Sequence, residues 1–298
     1  MSGLSRILIA TDLSESSRIA VVRGLDLAQT HDLECTIVHV LPRDLMFDIQ
    51  HLISKWDSTF ERDAIERQTR ELNRSVQSVL KNREINAHTR LRTGKPAEEI
   101  AQQARESQAD LLVVSSHGKG LVKRLLVGST TLGVLQDAPC PVLVVRTEQA
   151  RPYQKALLAI DFSETSRTVV QLARRYASNA HLVMTHSLRA PYDEMQRLAL
   201  LDKAQTQAYI DSARHQAEDR LHQLAESAGI SSKQYTVQVL DNHSPEAMLA
   251  AQLSQDCDLI VTGKHGRHAT RDRILGSFTQ SILTHATCDV LVAQPRNG

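Results

Sequence analysis

Apolar and polar positions change period repeatedly along the chain. RILIAT at 6–11 is a near-continuous apolar run, as expected of a strand covered on both faces. SESSRIAVVRGLDLAQ (14–29) carries helical spacing, and ECTIVHVL (34–41) is apolar again. FERDAIERQTRELNRSVQSVLKN (60–82) sets Ile65, Leu72, Val76 and Leu80 on or near one helical face. NAHTRLRTG (86–94) alternates as a strand does. PAEEIAQQARES (96–107) reads as a helix, with Pro96 at its start, where proline is tolerated. DLLVVS (110–115), a polar loop, STTLGVLQD (129–137) and PVLVV (141–145) close the series as strand, loop, helix and strand.

The series is written twice. RILIATDLSESSRIAVV at 6–22 aligns with KALLAIDFSETSRTVVQ at 155–171, and ADLLVVSSHGKG at 109–120 with CDLIVTGKHGRH at 257–268. Asp110 and Asp258, Gly118 and Gly266, Gly128 and Gly276, Ser129 and Ser277, and Cys140 and Cys288 all lie 148 residues apart. Asp12 and Asp161 fall within one residue of that spacing. A repeat this long is a duplicated domain, expected over 1–148 and 149–298, with the polar stretch TEQARPYQK as linker. Alternating strands and helices predict the α/β class, each half an open five-stranded parallel sheet. Ligands of such sheets bind beyond the carboxyl ends of the strands, where strand order reverses. The apolar last strands PVLVV and DVLVA would be exposed edges, so pairing within the chain or in a homodimer is expected.

Candidate chemistry gathers at that carboxyl edge. Asp12 and Asp161 end the first strand of each half, and the loop TGKHGRHATRDRILGS (262–277) follows the fourth strand of the second. Gly263 and Gly266 let backbone approach a ligand without Cβ interference. Gly276-Ser277 opens a helix, whose unbonded N–H groups and positive dipole end attract anions. Together these parts form a phosphate cradle. The spacing matches neither the Walker pattern nor G-x-G-x-x-G. The same residues would also serve as turns and caps, and the aspartates as strand-end turn formers.

The pattern G-x-x-G, nine residues, then G-[ST] resembles the ATP-binding signature of the universal stress protein family. AIDFSETS, VHVLP and APCPVLVV support the resemblance, which covers nearly the whole chain. It implies a Rossmann-like, nucleotide-binding fold in tandem. In ATP-binding members of the family the first aspartate contacts ribose, backbone after the second strand reads adenine, and the glycines with Ser/Thr hold phosphate. A divalent ion such as Mg2+ or Mn2+ sits on the phosphate oxygens. Carried over, the resemblance implies Asp161, Ser187, Gly263, Gly266, Gly276 and Ser277 in the second half. In the first half it implies Asp12, Val40, Gly118, Gly128, Ser129 and Thr130. Ser115 stands where the signature has its first glycine; its Cβ would disfavour a positive φ, so the first half is expected to be the weaker site.

Composition narrows the partners. Lys/Arg and Asp/Glu total 35 and 34, which argues against bulk electrostatic capture of nucleic acid or an anionic membrane. No apolar run approaches the roughly 20 residues that span a bilayer, and the N-terminus lacks the order of a secretory signal. Cys35, Cys140, Cys257 and Cys288 form neither a C-x-x-C nor a zinc spacing, and read as buried residues of a reducing cytoplasm. No dedicated metal cage is visible. His117 and His265 have no evident nucleophile or orienting carboxylate, so no catalytic residue is assigned. His39 and His186 read as packing residues, and the loop bases, Lys264 among them, as either phosphate screens or a solvated face. The expected function is an ATP-binding stress regulator with slow or no turnover and a protein partner of unknown identity. The same fold serving as a docking module without nucleotide is the alternative.

Overall fold

The computed structural model describes residues 6–43, 58–81, 83–118, 127–147, 150–188, 202–265 and 275–294. The chain divides into two compact units, the second of which runs from Pro152 to Ala293. In the first, the order is β1 (Arg6–Thr11), α1 (Glu15–His31), β2 (Glu34–Pro42), α2 (Ser58–Leu80), β3 (Ala87–Gly94), α3 (Pro96–Glu106), β4 (Leu111–Ser115), α4 (Ser129–Asp137) and β5 (Val142–Val145). The second repeats it as β6 (Lys155–Ala159), α5 (Thr165–Tyr176), β7 (His181–Ser187), α6 (Lys203–Ser227), β8 (Tyr235–Leu240), α7 (Pro245–Ser254), β9 (Leu259–Gly263), α8 (Ser277–His285) and β10 (Asp289–Ala293).

Each unit holds five parallel strands. Their orders are β3-β2-β1-β4-β5 and β10-β9-β6-β7-β8. The chain therefore leaves β1 to one side for β2 and β3, then crosses to the other for β4 and β5. The reversal lies between β1 and β4, and in the second unit between β6 and β9. Helices cover both faces of these central strands, so Leu8, Ile9, Leu112, Val113, Leu157, Leu158, Ile260 and Val261 are fully buried. The outer strand β3 instead alternates half-buried and exposed positions over most of its length, as expected of a strand with one wet face. On α2 the buried stripe is Leu72, Val76 and Val79. Ile65 and Leu80 are only half-buried, because 3.6-residue periodicity carries the stripe to Val79 rather than Leu80.

Helix starts follow sequence chemistry. Ser14 caps α1 by accepting from Ser17 N. Asp202 and Gln205 form a reciprocal capping box on α6. Pro96 and Pro245 sit in the first turns of α3 and α7. All four cysteines are buried and free. Burial pushes the Cys35 and Cys140 thiols up to about 12 and Cys257 to about 11. No helix among the described residues is long and apolar enough to cross a membrane.

Candidate functional site

Backbone after each switch-point strand is locked in the same way in both units. The chain leaving β6 bends at Phe162, whose φ of 59° is left-handed; Leu13 takes φ 63° at the matching place. That conformation is uncommon for a bulky residue and costs on the order of 1–2 kcal/mol. It turns the preceding aspartate across the strand end. Asp161 Oδ1 accepts from Ser163 N at 2.9 Å, Ser163 Oγ at 2.6 Å and Ser166 Oγ at 3.0 Å. Asp12 Oδ1 accepts from Ser14 N at 3.0 Å and Ser14 Oγ at 2.5 Å. Ser14 and Ser163, each two residues after the aspartate, thus serve to orient its carboxylate.

The strand and helix of the phosphate-type loop are tied equally firmly. Lys264 N donates to Ala293 O, and Gly276 N to Lys264 O at 3.1 Å. Thr279 Oγ1 donates to Gly263 O at 2.8 Å. The first unit repeats all three bonds with Ser116, Gly128 and Thr131. Gly276 and Gly128 are the N-caps of α8 and α4, extended at φ −60° and −65°, and neither helix has a side-chain cap. The first-turn N–H groups thus carry no capping oxygen from the cap residue. Ser277, Ser129 and Thr130 are exposed at those helix starts. Lys264 is buried, so it is not part of a solvated basic face.

In the second unit the parts converge. A cavity of about 580 Å³ at the carboxyl edge is lined by Asp161, Ser187, Gly263, Gly276 and Ser277, five of the six residues expected there. Gly266 lies outside the described residues. The cavity crosses the sheet edge from β9 over β6 to β7. With strands about 4.8 Å apart, that is a run of roughly 10 Å from the end of β9 to the end of β7.

Several of its walls had no signature in the sequence. Phe162 lies 4.5 Å from His186, ring centre to ring centre, and the Arg220 guanidinium sits 3.9 Å over the Phe162 ring. Phe278 stacks on His243 at 5.1 Å with the planes 11° apart. Arg220 comes from α6, which Arg214 ties to β8 by donating to Val239 O and Asp241. His186 Nδ1 donates to Ile160 O at 2.7 Å, which leaves Nε2 as the ring's acceptor when neutral. It is both the packing residue expected and a cavity wall. Burial, with the neighbouring Lys264 charge, holds His265 below its usual range.

In the first unit Gly118 packs directly on Asp12: a Cβ there would run into Asp12 Oδ2. Ser16 Oγ also donates to His117 O at 3.0 Å, drawing the loop after β4 onto the aspartate's turn. Val40, at the β2 position matching Ser187, is buried. The reason expected for the Ser115 difference does not hold. Neither Ser115 nor Gly263 has positive φ. Space separates them instead: a Cβ on Gly263 would meet Thr165 Cγ2 at 3.1 Å and His265 O at 3.2 Å. The counterpart of Thr165 is Ser16, which has no methyl. Among the described residues no group of three or more His, Cys, Asp or Glu is placed to hold a metal ion.

The profile of the universal stress protein family matches residues 3–146 and again 152–294. A universal stress protein of Methanocaldococcus jannaschii is 29% identical over 146 residues, covering 47% of this chain and 81% of that protein. A putative universal stress protein of Staphylococcus epidermidis is 32% identical over 151 residues, covering 50% and 88%. Among solved structures, a universal stress protein from Archaeoglobus fulgidus superposes with a TM-score of 0.69 at 20% identity, covering 98% of both chains, a likeness of fold.

Proposed function

The chain belongs to the universal stress protein family, with two copies of the family's domain in one polypeptide, and on that premise we propose that its second half is an ATP-binding regulatory site. One observation carries the reading: Asp161, Ser187, Gly263, Gly276 and Ser277, from two strands, the turn after a third and the start of one helix, line a single cavity. Its volume of about 580 Å³ is in the range of small-molecule sites. Phosphates belong at the start of α8, where open N–H groups, the dipole and the Ser277 hydroxyl all favour an anion. Asp161 is held over β6 for the ribose, and the base extends toward β7. Mg2+ or Mn2+ would bind through phosphate oxygens and water. In the first half the loop carrying Gly118 lies against Asp12, so that site is the weaker one.

These residues bind and orient; none supplies a nucleophile with a general base. Hydrolysis also requires an oriented water and stabilisation of charge at the transferred phosphate. Turnover is therefore slow, and occupancy of the site sets which protein partner the chain accepts. Four buried free thiols suit a reducing cytoplasm.

Calorimetric titration of the full-length protein with ATP and Mg2+ tests the reading. Gly276→Val should weaken binding by about tenfold or more, because a branched side chain inserted at the cradle costs on the order of 1–3 kcal/mol, while Gly128→Val should leave most binding intact. A protein that takes up no ATP would be a docking module without nucleotide. If Gly128→Val removed the binding and Gly276→Val did not, the halves would exchange roles.

A further inference from the structure

Arg220 is the only lysine or arginine among the described residues that line the second unit's cavity. It reaches the wall from α6, on the helical face that also presents Tyr209, Gln216 and Ala217 there. Its guanidinium sits 3.9 Å over the Phe162 ring, and that ring lies against His186 of β7. The residue is exposed, and it makes no hydrogen bond or ion pair with a described residue. A guanidinium carries five N–H donors and no acceptor. Contact with the ring holds this one in place and leaves its donors for an anion. The cavity's other anion-attracting feature, the start of α8, is tied to the end of β9 through Gly276 N and Lys264 O. Strands β9 and β7 flank β6. Asp161, which follows β6, therefore has an anion point on each side: α8 toward β9 and Arg220 toward β7.

The first unit makes the opposite choice. Leu221 and Leu72 are both fully buried and, like Asp161 and Asp12, lie 149 residues apart. That spacing pairs Arg220 with Glu71 and Phe162 with Leu13. A carboxylate thus replaces the cation, and an aliphatic residue replaces the ring that holds it. We propose that Arg220 is a specificity-determining residue for a second phosphate, carried on the ligand's ribose. This deepens the nucleotide reading above and rests on it. With the 5′-phosphate at α8 and the ribose at Asp161, the 2′- and 3′-oxygens are the ligand groups that meet the carboxylate. One hydroxyl can donate to Asp161 while a phosphate on its neighbour pairs with the guanidinium over Phe162, the next residue. Dinucleotide-binding sheets divide the work in the same way, with a carboxylate for the ribose hydroxyl and an arginine for a ribose phosphate. The ligand class is a nucleoside bisphosphate, and its selection belongs to the second half alone.

Full-length wild type, Arg220→Gln and Arg220→Glu are titrated calorimetrically with AMP, adenosine 2′,5′-bisphosphate, adenosine 3′,5′-bisphosphate and ATP. Wild type should bind one of the bisphosphates about tenfold more tightly than AMP, the low end for a hydrogen bond to a charged group because Arg220 is exposed to solvent. Arg220→Gln should bring the two affinities together. Arg220→Glu, which installs the first unit's charge, should turn the preference toward AMP. Equal affinity of wild type for AMP and both bisphosphates, or a preference that survives in both variants, overturns the proposal, and ATP binding then leaves the nucleotide site standing. An equal loss for every ligand in Arg220→Gln makes Arg220 a support of the cavity wall and overturns it as well. If wild type binds none of these ligands, the nucleotide reading falls and the proposal with it.

Discussion

Gly263→Ser imports into the second half the residue that the first half carries at 115. Backbone conformation does not oppose it, since φ at 263 is not left-handed. Crowding does. The new Cβ would sit 3.1 Å from Thr165 Cγ2 and 3.2 Å from His265 O, each a few tenths of an ångström inside comfortable contact. Overpacking costs about 1–3 kcal/mol, and two mild contacts put this change near 1–2. Thr165→Ser removes the nearer atom and rebuilds the Ser115/Ser16 pairing of the first half. Alone, it should cost about 0.8 kcal/mol for one lost methyl. Together the two should cost about 1 kcal/mol less than their sum, the residue being the His265 carbonyl, which remains in place. Urea unfolding can follow the halves separately: all five tyrosines lie in the second half and the single tryptophan in the first. Additivity of the two changes within about 0.3–0.5 kcal/mol, the scatter of independent sites, would refute the steric account.

Two further expectations come from burial. His265 is held below its ordinary 6.5 by burial and by Lys264, so the unfolded chain binds its proton first as pH falls. Its contribution is intact above pH 6.5 and is lost below it; His265→Asn should flatten the decline of second-half stability on that acid side, and an unchanged slope would contradict the assignment. The thiols of Cys35 and Cys140, raised to about 12, and of Cys257, raised to about 11, should resist iodoacetamide at neutral pH in the native protein and react on unfolding; rapid native labelling, read by intact mass, would count against that burial.

Local signals carried much of the fold. Apolar runs at 6–11 and 110–115 and Pro96 at a helix start placed elements to within one or two residues. The repeat announced a second copy of everything. Asp161, Gly263 and Gly276 were legible because turn and cap chemistry is written in adjacent residues. Arg220 was not: it reaches Phe162 from a helix 58 residues later, and no spacing rule connects them. The Gly263–Thr165 contact was hidden for the same reason, and so the Ser115 difference was read as a dihedral preference, although neither backbone is left-handed and what differs is the space around the position. Ser187 was expected on account of its backbone; that its hydroxyl is buried without a partner emerges only from packing.

Leu13 and Phe162 hold the same left-handed turn with different side chains. What the duplication keeps at these places is therefore a backbone shape, and the side chain on it is a separate choice. In the second half the ring has been recruited into the cavity against Arg220 and His186. In the first half the position holds an aliphatic residue on a conformation that glycine would adopt without strain. Marginal stability of about 5–15 kcal/mol makes such a position a reserve. Residue 13 is thus constrained by the turn alone, while residue 162 is constrained also by its contacts with Arg220 and His186, so the two copies carry different limits on change at one shared turn.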